Sequence, residues 1–279
     1  MQGRRAIAAA TVVAAVAMMP AVASAAPTWA PASQAPVHPG VRTVTDGAEC
    51  TSDFIFYDSA GNEYIGQAAH CSGTGDDSET DGCTSDSLPT GTHVKVTGAS
   101  KPGVMVYNSW LEMQALGESS DNACEYNDLA LVKLDPADYG SVNPSIPHWG
   151  GPTGVGKAAA DDKVYTYGNS KTRDGETTLS PKTAAVDHVD GGGWDYNVVS
   201  SSPGIPGDSG SAFLNASGQA LGVLSTLEIA PHAGSNGVGD IGRELAYAQA
   251  HSGISGLTLA NGTEPFRTGM LGLAVLQFA

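Results

Sequence analysis

Cys50-Thr51-Ser52-Asp53-Phe54-Ile55-Phe56-Tyr57, Ser59-Ala60-Gly61-Asn62 and Tyr64-Ile65-Gly66-Gln67-Ala68-Ala69 follow one another along the chain. The first and third segments are apolar runs, and the second is a Gly/Asn turn, so together they read as a β-hairpin. The returning strand runs directly into His70-Cys71. An imidazole at a strand end, beside a residue that a disulfide can anchor, is held far better than one on a free loop.

The same punctuation continues outward. Short apolar runs at residues 93–96, 104–110, 129–134, 164–168, 196–200, 212–214 and 219–225 are separated by turn residues. This spacing predicts antiparallel barrels or a sandwich rather than alternating βαβ units. Late in the chain one helix is expected, over 243–251, closed by Gly253. Residues 138–156 are dense in Gly and Pro and read as a connector between two halves, 41–140 and 141–267.

Composition agrees with a compact β-rich domain. The chain has 279 residues, 36 of them Gly, with only 15% charged and 41% hydrophobic. That apolar content is enough for a core and argues against disorder. The net charge of −16 repels phosphates and anionic lipid, which excludes nucleic acid and membrane surfaces as expected partners and suits a soluble monomer.

Residues 1–25 read as a secretory signal. Arg4 and Arg5 form a basic start, residues 6–19 an apolar run, and Pro20 with Ala23-Ser24-Ala25 the break and cleavage site. The apolar run is shorter than the ~20 residues that span a bilayer. Residues 26–40 read as a linker or short propeptide, and 268–279 as an apolar tail that packs as a strand. An exported chain places Cys50, Cys71, Cys83 and Cys124 in an oxidising compartment. Two disulfides are expected, and three pairings are possible. Asp76, Asp77, Glu79 and Asp81 offer oxygen ligands without EF-hand spacing, and read as a solvated loop.

Gly207-Asp208-Ser209-Gly210 has the residue types a nucleophile requires. The serine hydroxyl must be exposed, and small neighbours let backbone N–H groups approach a developing oxyanion. A hydroxyl needs a base, and of the seven histidines only His70 has a distinguishing context. An imidazole base in turn needs a carboxylate to select its tautomer. Asp128, at the mouth of the apolar run Leu129-Ala130-Leu131-Val132, is the candidate.

Ala68-Ala69-His70-Cys71, Asn127-Asp128-Leu129-Ala130-Leu131 and Gly207-Asp208-Ser209-Gly210 resemble, in order, the three signature segments of chymotrypsin-like serine peptidases, particularly bacterial secreted members. Cys50, Gly222-Val223-Leu224-Ser225 and Gly237-Val238 extend the likeness, which runs from about Val41 to His251. The order excludes subtilisin-type and α/β-hydrolase arrangements. The resemblance implies two packed six-stranded antiparallel β-barrels with a late helix, and a secreted endopeptidase acting on proteins or peptides without metal or organic cofactor. It implies His70, Asp128 and Ser209 as catalytic residues and the Gly207 and Ser209 N–H groups as the oxyanion hole. Ser225 would begin the substrate-pairing strand. It further implies a Cys50–Cys71 disulfide, which leaves Cys83–Cys124.

Ser211 and Gln67 depart from the family pattern without touching the mechanism. The chain also has no Ile-Val-Gly-Gly activation site near Val41, so Asp208 is expected to find local partners. Pro203 stands where trypsin-like relatives carry a pocket aspartate. With Thr226 and Leu227 as walls, this points to a small or apolar P1 residue. The competing readings are an esterase using the same triad and a non-catalytic binding module on this fold.

Overall fold

Antiparallel strands whose apolar faces turn inward must close on themselves or pack against a second sheet, and this chain does both. The computed structural model describes residues 27–76, 80–173, 177–227 and 234–269. The expected signal peptide, residues 77–79 of the acidic loop and most of the C-terminal tail lie outside them. In chain order the strands of the first half are β1 (Arg42–Thr45), β2 (Ala48–Thr51), β3 (Ile55–Tyr57), β4 (Glu63–Ala68), β5 (His93–Val96), β6 (Gly103–Asn108) and β7 (Leu129–Lys133). The second half contributes β8 (Lys163–Tyr167), β9 (Pro181–Asp190), β10 (Asp195–Val199), β11 (Ala212–Leu214), β12 (Ala220–Leu227), β13 (Asn236–Asp240) and β14 (Thr258–Leu259).

The second half closes into a six-stranded barrel in the order β10-β13-β12-β11-β8-β9. The first is an eight-stranded sheet in the order β14-β3-β4-β7-β6-β5-β1-β2. It curls without closing, whereas a second closed six-stranded barrel was expected. One of its strands comes from the far end of the chain, since Thr258 pairs with Tyr57 and Leu259 with Phe56. In the stretch 26–40, expected to be a linker or short propeptide, the described residues from 27 onward include Val37, which is fully buried and bridges Val142.

Three apolar clusters hold these sheets. Val164, Val186, Tyr196, Val198, Phe213 and Leu221 fill the closed barrel. Ile55, Ile65, Met105, Val132, Trp110 and Met113 fill the open sheet. A third cluster joins the halves, with Phe54, Phe56, Leu129 and Leu131 meeting Trp149, Leu214, Val223 and Ile241. Each fully buried side chain of this size contributes roughly 1.5–3 kcal/mol. β4 is buried on both faces because it lies between the open sheet's interior and this interface.

Among the described residues α-helices occur in three places rather than one. α1 (Ser109–Leu116) begins where the Asn108 side chain accepts from the N–H groups of Trp110 and Leu111, and ends at left-handed Gly117. The expected strand over 104–110 therefore stops at Asn108, a side-chain cap that ends the ladder and starts the helix. α2 (Asp121–Tyr126) is capped by Ser120. α3 (Ile241–His251) is the expected late helix, started by Asp240 accepting from Arg243 N. The single strand expected over 50–57 breaks after Thr51, since Ser52 N turns to Val41 O and the Asp53 carboxylate takes Phe54 N.

Candidate active site

The β4–β7 register pairs Ala68 with Leu129. His70, two residues past the end of β4, and Asp128, one residue before β7, therefore emerge at the same sheet edge. His70 sits on the 3-10 turn Ala69–Ser72, and Cys71 on that turn is bonded to Cys50. Cys83 is bonded to Cys124. Both pairings implied by the family resemblance are thus present.

Asp128 is 3% exposed and engaged at each polar atom. Its Oδ2 meets His70 Nδ1 at 2.6 Å, and its Oδ1 accepts from His70 N at 2.8 Å. Its carbonyl accepts from Ala69 N at 2.9 Å. Ser225 Oγ donates to Oδ2 at 2.6 Å, and the Asp128 N–H donates to Glu244 Oε1 at 3.0 Å. A carboxylate bonded in this way fixes the tautomer in which His70 Nδ1 carries a proton and Nε2 is the basic nitrogen.

Ser209 precedes β11 in a loop that two glycines shape. Gly207 has φ +93° and Gly210 φ +85°, values side chains rarely adopt. A Cβ on Gly210 would lie 2.3 Å from Thr51 O. The loop is stitched to both halves: Thr51 N donates to Ser209 O at 2.9 Å, and Gly210 N to Leu224 O at 2.7 Å. Thr51 Oγ1 donates to Gly207 O at 2.8 Å. Among the described residues the N–H groups of Gly207 and Ser209 donate to no protein acceptor. Ser211, noted as a departure, donates its hydroxyl to Asp208 O.

Asp208 is fully buried beneath this loop. Lys182 Nζ approaches Oδ2 at 2.5 Å and Arg173 Nη1 approaches Oδ1 at 2.8 Å. Ser170 N and Ile205 N also donate to it. The expected local partners are therefore two cations and two backbone amides. Burial pushes the Lys182 ammonium below its ordinary range, against the opposing pull of Asp208. A buried carboxylate without such partners would be costly.

His70 and Ser209 line a single cleft of about 580 Å³ between the halves. Trp110 forms one wall, its ring centroid 6.5 Å from that of His70. Ser225, Thr226 and Leu227 line the cleft, together with Ile205 and Leu224. Pro203 does not line it; its carbonyl instead faces Lys182 Nζ at 3.4 Å. The position falls to Gly204, whose N–H donates to Asn236 Oδ1 at 2.7 Å, and Asn236 Nδ2 donates to Thr226 O at 3.0 Å.

Among the described residues two groupings have metal-ligand proximity, Cys50-His70-Cys71 and Asp81-Cys83-Cys124. Their sulfurs are committed to disulfides and offer no thiolate. Sequence reasoning missed Lys182, Arg173, Asn236 and Glu244. Glu244 alone left a signal: it shares a 3.6-residue face with Ile241, Leu245 and Ala248 in α3.

An open curled sheet and a closed barrel, with a cleft between them and a C-terminal helix, make up the chymotrypsin-type fold. Thermobifida fusca Protease A superposes with a TM-score of 0.53 at 18% identity, covering 81% of this chain and 99% of that one. Nocardiopsis protease superposes with a TM-score of 0.51 at 17% identity, covering 80% and 98%. At such identities the likeness is one of fold. No family model matches the chain, and no curated protein matches it.

Proposed function

We propose that this chain is a secreted serine endopeptidase that cleaves peptide bonds through an acyl-enzyme on Ser209. The observation that carries this reading is the His70–Asp128 pair, bonded at two points, in one cleft with a glycine-flanked serine. Ser209 Oγ attacks the scissile carbonyl carbon while His70 Nε2 takes its proton. The tetrahedral oxyanion is met by the N–H groups of Gly207 and Ser209, each worth about 3–4 kcal/mol. His70 then returns the proton to the leaving amine, and water reverses the sequence to release the acid. Asp128 stays ionised and holds the imidazole.

Four further features support the details. The two solved structures of like fold are proteases by name. Two disulfides suit an extracellular destination. Ile205, Leu224 and Thr226 line the cleft, and the Asn236 amide is consumed by Gly204 and Thr226, which favours a small or apolar P1 side chain. Lys182 and Arg173 already balance Asp208, so the Ser209 loop has its counter-charges without a released amino terminus.

The test is mass labelling with a fluorophosphonate. One adduct on Ser209, lost in Ser209→Ala, is expected. An unlabelled folded protein, or an adduct elsewhere, would reject the assignment. Casein digestion compared with nitrophenyl ester turnover distinguishes a peptidase from an esterase.

A further inference from the structure

Glu244 is one of three fully buried acids, with Asp53 and Asp240, that the mechanism above leaves unused. It has no exposed surface, yet it projects from α3 in the second half toward Asp128 at the edge of the first. Room for it is made by Gly239, where a Cβ would stand 2.6 Å from Glu244 Oε1. Among the described residues Glu244 Oε2 has no hydrogen-bonding partner.

We infer that Glu244 is a positioning residue: by accepting the Asp128 N–H at 3.0 Å it sets, from the C-terminal helix, the backbone that aims the Asp128 carboxylate at His70. The inference rests on the peptidase reading for its kinetic consequences but not for its geometry. Asp128 carries four other hydrogen bonds through its side chain and carbonyl, all directed to the turn of His70 or to Ser225. The Glu244 contact alone holds the amide side of the residue, and without it the Asp128 N–H would be a buried orphan donor.

Glu244 does this as a neutral acid. The groups acting on it are Asp128, Asp53 and Asp240, all of like sign, and the buried Tyr107 phenol also faces it. Of the nearby cations, Lys157 is engaged with Asp240, and Arg243 turns outward to the carbonyls of Gly192 and Gly193. Burial first, helped by these acids and opposed by the Asp128 N–H bond, raises Glu244 well above the usual carboxylate range. A carboxylic acid still offers a carbonyl oxygen to the Asp128 N–H and adds no second negative charge beside the triad. Glutamine offers the same oxygen.

The experiment compares wild type, Glu244→Gln and Glu244→Leu by kcat, KM and the acid limb of kcat/KM, with the low-field proton NMR signal of His70 Nδ1–H as a readout independent of turnover. Glu244→Leu should lose about 10- to 100-fold in kcat with little change in KM, the range expected of a displaced catalytic group, and should shift or broaden the NMR signal. Glu244→Gln should restore kcat, the acid limb and the signal. An ionised Glu244 would instead stabilise the His70 imidazolium, so its removal in Glu244→Gln would move the acid limb to lower pH and overturn the neutral assignment. A folded Glu244→Leu with wild-type kcat and an unchanged signal overturns the positioning role. If Glu244→Leu does not fold, Gly239→Ala, which crowds Glu244 Oε1, replaces it with the same two outcomes. Should the wild type cleave no peptide, the peptidase reading fails alone and the NMR comparison still decides this one.

Discussion

Ser225 Oγ and His70 Nδ1 both lie 2.6 Å from one oxygen of Asp128. The three side chains come from different places: the turn after β4, the residue before β7, and β12 of the other half. One carboxylate oxygen therefore serves as the joint between the two sheets. Ser225→Ala removes one of its donors and leaves the imidazole contact. Loss of such a bond costs about 1–1.5 kcal/mol, so kcat/KM should fall about 5- to 10-fold. Steady-state kinetics on a chromogenic peptide would check this, and an unchanged value would show the bond to be dispensable.

Lys182 and Arg173 share the buried carboxylate of Asp208. Lys182→Met removes one cation and leaves the second. Breaking a buried pair costs about 3–5 kcal/mol when the charge is left alone; with Arg173 remaining, the loss should fall below that range. Because Asp208 adjoins Ser209 and Gly207, kcat should fall along with stability. Urea unfolding and kinetics of the same variant test both halves of the expectation.

Burial lifts the Glu63 carboxyl from 4.5 to about 7. Its folded-state pKa is the higher one, so the folded protein holds the proton through the interval in which the unfolded chain releases it. The stability it contributes is complete below pH 4.5 and is lost as pH rises to about 7. Asp53 and Glu244, also raised by burial, act in the same direction. Tm should therefore decline from pH 5 to pH 8. Glu63→Gln should flatten part of that slope and exceed wild type at the alkaline end. Calorimetry showing the same slope in both proteins would assign it elsewhere.

The Cys83–Cys124 bond spans 41 residues and Cys50–Cys71 spans 21. Loop-closure entropy gives about 4 kcal/mol for the first and about 3 kcal/mol for the second. Replacing Cys83 and Cys124 with Ala should thus lower stability more, while replacing Cys50 and Cys71 should lower activity more, since Cys71 adjoins His70. Denaturant midpoints alongside kcat for the two double variants would separate the effects.

Local pattern made the strands and the three site segments legible. A histidine ending an apolar strand, an acid opening another and a serine between glycines each meet a chemical need that residue type alone expresses. Of the closed barrel's strands, β8, β10, β11 and β12 were legible as short apolar runs between turns, while β9 and β13 were not; the runs left barrels and a sandwich open, and the family resemblance alone implied closure. The open sheet was not legible, because the strand at its edge is supplied by Thr258 and Leu259, a two-residue pairing across two hundred positions that no local window contains. α1 was hidden because Val104 to Asn108 has strand character up to its last residue, and Asn108 acts as a cap only once its side chain turns back. Lys182 lies in β9 as an inward-facing lysine, a placement that makes sense only with Asp208 beneath the loop. Gly204 rather than Pro203 lines the cleft, because which residue reaches a wall is set by how the loop turns, not by counting back from the serine.

The return of Thr258–Leu259 to pair with Tyr57 and Phe56 means that neither half owns all of its own chain. After completing the closed barrel and α3, the polypeptide ties itself back onto the sheet it left, much as a belt is buckled. Melting of one half must undo this fastening and expose the shared apolar seam, so the two lobes should unfold in one cooperative transition rather than as separable modules. A polypeptide cut in the connector would yield an N-terminal fragment lacking one edge of its sheet.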